Sequence, residues 1–74
     1  MELSFPISIN GGDAEVTIEV TKKEYNKVTK SDEWYLRDVD VSLYNRVVET
    51  FREQQAEFGI DIDDYDFEVL IPTE

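Results

Sequence analysis

The chain contains no cysteine and no histidine. The first absence excludes a disulfide framework and a thiolate metal site. The second removes the commonest general base and the commonest metal ligand together. Long apolar runs are missing too: none exceeds three residues, as in Val69-Leu70-Ile71, and Met1-Glu2-Leu3-Ser4 brings no basic segment. A secretory leader and a membrane span are therefore not expected, and the reading is a soluble, cytoplasmic protein that makes no membrane contact. Glycine is confined to three positions, Gly11, Gly12 and Gly59, with no phosphate-binding spacing among them.

Basic residues are also absent from both ends. All seven lie between Lys22 and Arg52. Residues 1–21 carry Glu2, Asp13, Glu15 and Glu19, a charge of −4, and residues 53–74 carry Glu53, Glu57, Asp61, Asp63, Asp64, Asp66, Glu68 and Glu74, a charge of −8. The middle holds six acids against the seven bases, so the formal net charge is −11. Such an imbalance destabilises a compact state by self-repulsion, repels nucleic acid and steers basic partners inward. What remains is enough to fold: 41% of the 74 residues are hydrophobic and 12% aromatic, richer in core material than an acidic disordered tail. The expectation is one small acidic domain over residues 1–74, burying about 60 to 65% of the surface of its unfolded chain.

Leu3, Phe5, Ile7 and Ile9 alternate with polar residues, as do Ala14, Val16, Ile18 and Val20 after Asn10-Gly11-Gly12-Asp13. This predicts a β-hairpin with one apolar face. A turn centred on Gly11 and Gly12 sets Ile9 against Ala14, Ile7 against Val16, Phe5 against Ile18 and Leu3 against Val20. Pro6 has no N–H, which favours a four-residue loop, Asn10 to Asp13, with Pro6 at an open edge or a bulge. Thr21 and Glu24 then form a capping box, with Val20 able to pack on Tyr25. The short helix they start carries four of the seven bases and ends near Ser31 and Asp32. Residues 33–38 suit either a short strand or an aromatic-rich connection.

A second helix from about Val41 to Phe58 follows from the spacing of Tyr44, Val47, Val48, Phe51 and Phe58, with Asp38 or Asp40 as cap and Gly59 beyond its end. Glu53 and Glu57 in its last turns oppose its dipole. An acidic connection, Ile60 to Tyr65, leads to a third strand through Phe67, Val69 and Ile71, stopped by Pro72. The order β, β, α, α, β gives an α+β fold: an N-terminal β-hairpin plus a C-terminal strand forming a small sheet packed on one face by a short and a long helix. Which hairpin strand the last one joins is left open by the sequence, though a fully open edge at Pro6 would favour pairing with the second.

Asp61-Ile62-Asp63-Asp64-Tyr65-Asp66 is oxygen-rich like a calcium loop, but the register fails. Counting from Asp61, position 6 is Asp66 where glycine is needed and position 12 is Pro72 where glutamate is needed. No metal and no cofactor is expected. Catalysis is not expected either, since a carboxylate pair needs a walled cleft to separate its pKa values, and a chain this short hardly builds one. Trp34, beside Tyr35, Asp32 and Glu33, suits an interface hot spot, although tryptophan in a small domain is more usually core. The aromatics are no stacking platform for nucleic acid, which needs basic neighbours.

The acids themselves are the remaining candidates. Residues i and i+2 of a strand share a face about 6.7 Å apart, so Glu15 with Glu19, and Asp66 with Glu68, present ladders of like charge. A rigid body that rows carboxylates in this way can occupy a groove built for phosphates. The plainer alternative is a solvated face that keeps a marginal domain soluble. The functional expectation is an inhibitor or decoy that binds a basic nucleic-acid-binding protein without touching nucleic acid itself. Its contributors would be Asp61, Asp63, Asp64, Asp66 and Glu68, then Glu53 and Glu57, with Glu15 and Glu19 as a second row. In size and charge the chain resembles phage and mobile-element inhibitors of restriction or CRISPR effectors. The alternatives are an interaction module, such as an antitoxin, immunity or assembly factor, that docks apolar contacts around Trp34 or a sheet edge, and a structural protein that completes its core as a homodimer.

Overall fold

The computed structural model describes residues 1–72. Its elements run β1 (Glu2–Ile9), β2 (Gly12–Glu19), α1 (Lys22–Thr29), α2 (Val41–Ala56) and β3 (Phe67–Val69), with short 3-10 turns at Leu36–Asp38 and Ile62–Asp64. The three strands form one antiparallel sheet in the order β2-β1-β3, with the helices on one face. This is the α+β architecture that the hydrophobic periodicity predicts.

The hairpin turns earlier than expected. Ile9 faces Gly12, so the loop is Asn10-Gly11 alone, and both residues have positive φ, 45° and 82°. That is the type I′ geometry matching the twist of the flanking strands, and Asn-Gly is its strongest sequence signal. The register pairs Phe5 with Val16 and Leu3 with Ile18, two residues away from the expected partners. A slip of two keeps every side chain on its face, so the apolar surface is the one predicted.

Pro6 corrects a second expectation. It lies in the central strand, not at an edge, and β3 joins β1, not β2. With the loop at Asn10-Gly11, Pro6 and Glu15 form a non-hydrogen-bonded pair, so Pro6 is not asked to donate to β2, as the four-residue loop also had it. Its nitrogen faces the end of β3, where Leu70 N donates to Pro6 O at 2.9 Å and no return bond exists. The regular ladder with β3 stops one residue earlier, at Ile7–Val69.

The helix signals are read more directly. Glu24 N donates to Thr21 Oγ1 at 3.1 Å and Thr21 N donates to Glu24 Oε1 at 2.9 Å, completing the capping box of α1. Asp40 caps α2, accepting from Leu43 N at 3.1 Å. At the other end Gly59, at φ 74°, donates to Ala56 O while Ile60 N reaches Gln55 O, both at 3.0 Å. These are the paired bonds of a Schellman cap. Phe58, just before the cap, is exposed and is not part of the apolar stripe of α2. Leu43 takes a place in that stripe with Val47, Val48 and Phe51.

The core lies between the helices and the inner sheet face. Phe5, Ile7, Val16, Ile18 and Val69 come from the strands, Val28 from α1, the α2 stripe from above, and Leu36, Ile62 and Ile71 from the connections. Phe51 and Phe67 meet at 6.2 Å between ring centroids, tilted by 59°. No buried side-chain polar atom among the described residues lacks a hydrogen-bond partner. No helix among them is long and apolar enough to cross a membrane.

Candidate partner-binding face

Strand alternation sends one set of side chains into the core and the other to the face that no helix covers. With Phe5, Ile7, Val16, Ile18 and Val69 buried, the outward set is Glu2, Ser4, Pro6 and Ser8 from β1, Asp13, Glu15, Thr17 and Glu19 from β2, and Glu68 from β3, with Asp66 just before it and Leu70 just after. Six of these are carboxylates and none is a base.

The register fixes their layout. Ser8 of the central strand faces Asp13 on one side and Glu68 on the other, and Pro6 faces Glu15. Asn10 N donates to Asp66 O at 3.0 Å, which sets Asp66 beside the hairpin turn. Asp13 and Glu15 thus form one row and Asp66 and Glu68 another. Neighbours within a row lie about 6.7 Å apart, and the rows, two strand spacings apart, are separated by about 10 Å. A depression of about 440 Å³, lined by Ser8, Asn10, Asp66 and Glu68 among others, lies on the side of the second row. At the far end Glu2 and Glu19 are directly opposed. The Met1 amino group lies 3.2 Å from Glu19 Oε2, and Ser4 and Thr17 share a hydrogen bond of 2.6 Å between the two ends.

The bases are gathered elsewhere. Lys22, Lys23 and Lys27 lie in α1, Lys30 caps it, and Arg46 and Arg52 lie in α2. Arg46 spans α1 and β2, donating to Glu24 Oε2 at 3.0 Å and to Glu19 O at 2.6 Å. Lys27 reaches Asp40 at 3.5 Å, and Arg52 reaches Asp63 at 2.9 Å. Of the lysines and arginines only Arg37 pairs with a carboxylate of the open face, meeting Glu68 at the β3 edge and stacking 4.7 Å from the Tyr35 ring centroid.

The ionisation shifts follow the helix caps. The Thr21 backbone N–H holds the Glu24 carboxyl below its ordinary value, with Arg46 adding to the effect. The Leu43 N–H lowers Asp40 in the same way, with Lys27 adding. Asp63 raises Arg52.

The acids singled out in the sequence therefore divide. Glu15, Glu19, Asp66 and Glu68 share the open face, joined by Glu2 and Asp13, whose strand parity already placed them with Glu15 and Glu19. Glu53 and Glu57 extend from Glu49 at helical spacing on the exposed side of α2, in the helical layer. Asp61, Asp63 and Asp64 belong to the turn after α2, where Asp61 Oδ1 accepts from Asp63 N at 3.0 Å and Arg52 neutralises Asp63. Among the described residues no group of three acids could hold a metal ion. Trp34 is 80% exposed and is not a core residue. Its backbone is nonetheless fixed, since Ile71 N donates to Trp34 O at 3.0 Å and Tyr35 bridges Leu70. No family model matches the chain, and no curated protein or solved structure matches it.

Proposed function

We propose that the protein is an inhibitor or decoy that presents the open sheet face to the basic nucleic-acid channel of another protein, with carboxylates standing in for phosphates. The observation that carries this reading is the segregation of charge: six carboxylates on one uncovered face, and six of the seven bases in the helical layer. A lysine- or arginine-lined channel is recognised by spacing as well as by sign. The rows rest on the two strands that flank β1 and pair with it, so their backbone is fixed before binding and only the side chains remain to be ordered.

The action is occupancy without chemistry. The setting is the cytoplasm, and the type of target is that of the phage and mobile-element inhibitors of restriction or CRISPR effectors. Capture of a host protein at low salt, its release at high salt, and its displacement by duplex DNA are the expected results. Affinity that stays flat with salt, or a captured partner that duplex DNA does not displace, counts against the decoy. One observation favours the interaction-module alternative, such as an antitoxin, immunity or assembly factor. Trp34 is exposed on a fixed backbone, as an apolar hot spot would be. Under that reading Trp34→Ala abolishes binding while salt changes it little.

A further inference from the structure

The same edge of the sheet carries a groove of about 640 Å³ that the rows of acid do not use. Trp34 lines it together with the apolar Pro6, Leu70 and Pro72 and with Asp32 and Glu33. Neither carboxylate has an ion-pair partner among the described residues. The indole is not a frayed side chain: strand-like pairing of residues 34 and 35 with Leu70 and Ile71 holds its backbone. Pro6 and Leu70 belong to the open face as well, so the groove and the acidic rows form one continuous surface.

We infer that this groove receives an arginine side chain of the partner, its guanidinium stacked on Trp34 and its charge met by Asp32 and Glu33. The inference rests on the reading of a basic partner and names how one of its residues is held. Three arguments fix the occupant. An apolar side chain would desolvate two carboxylates without pairing them. A second copy of this chain would bring one charge of −11 against another. Lysine supplies the charge but not the planar fork that stacks on a ring while donating to carboxylates. The same edge already shows this chemistry within the molecule, where Arg37 lies over Tyr35 and pairs with Glu68.

Trp34 is the only tryptophan, so its emission reports on the groove alone. The test titrates the full chain with two capped peptides of equal charge, one alternating arginine with glycine and the other lysine with glycine. Calorimetry measures binding, and emission measures contact with the groove. Both peptides bind, and both weaken with salt. The arginine peptide binds roughly two- to fivefold tighter, the range of an exposed cation–π contact, and alone shifts the emission. That advantage disappears in Trp34→Ala and in the double variant Asp32→Asn, Glu33→Gln. All three side chains are exposed, so both variants melt like the parent. Equal affinities and an unmoved emission overturn the groove while leaving the basic-partner reading intact. Failure of both peptides to bind overturns both. An emission that shifts with protein concentration alone, with a dimeric mass, assigns the groove to a second copy and overturns the inference.

Discussion

The two faces of the same three-stranded sheet differ in everything except their backbone. The covered face buries Phe5, Ile7, Val16, Ile18 and Val69 to 9% exposure or less, and the open face carries six carboxylates. Alternate residues of one strand thus serve opposed ends: the inward set stabilises a fold that its charge weakens, and the outward set supplies the charge. Substitutions should separate by parity alone. The largest expected effect is on the inner set, where Phe5→Ala, at a fully buried position in the central strand, destabilises by about 3 to 5 kcal/mol in denaturant unfolding. For a small domain of this charge that approaches the whole stability. A Phe5→Ala protein that unfolds at the parent's midpoint would erase the distinction.

The helix caps come next. Asp40→Ala removes the bond to Leu43 N and costs about 1 kcal/mol. The sign with pH follows from the lowered values of Asp40 and Glu24. Their contribution is complete above the ordinary values, 3.8 and 4.5, and is lost as pH falls through the depressed ones. In acid unfolding the Asp40→Ala variant loses less stability over that range than the parent does.

Effects on the open face are smaller and run the other way. Glu2→Gln removes a like-charge pair with Glu19 and raises stability by roughly 0.2 to 1 kcal/mol. Added salt raises the melting temperature as well. It screens the repulsion within a charge of −11 more than it weakens the four side-chain ion pairs, all partly exposed. A melting temperature that falls with salt would mean that the ion pairs of the helical layer, not self-repulsion, dominate.

Much of this contrast is legible in the sequence, because it depends on local period. Strand alternation gave both faces, Thr21 with Glu24 gave the start of α1, and Asp40 and Gly59 bracket α2. The turn is ambiguous because two local signals compete, Asn10-Gly11 and Gly11-Gly12, and the positive φ of Asn10 decides between them. The harder features are non-local. Nothing near Pro6 indicates that β3 pairs with β1, yet that pairing sets Asp66 and Glu68 across β1 from Asp13 on the same face and leaves Asp61, Asp63 and Asp64 outside it. Exposed Trp34 is held in place by the pairing of residues 34 and 35 with Leu70 and Ile71, residues nearly half the chain away.

The central claim is that position, not total charge, directs binding, and two variants of equal charge test it. One neutralises the open face with Asp13→Asn, Glu15→Gln, Asp66→Asn and Glu68→Gln. The other neutralises the helical side with Glu49→Gln, Glu53→Gln, Glu57→Gln and Asp64→Asn. Measured by calorimetry against the capped arginine–glycine peptide over a range of salt, the first should lose most of its affinity and of its salt dependence while the second keeps both. Equal losses in the two would show a diffuse negative field with no binding face.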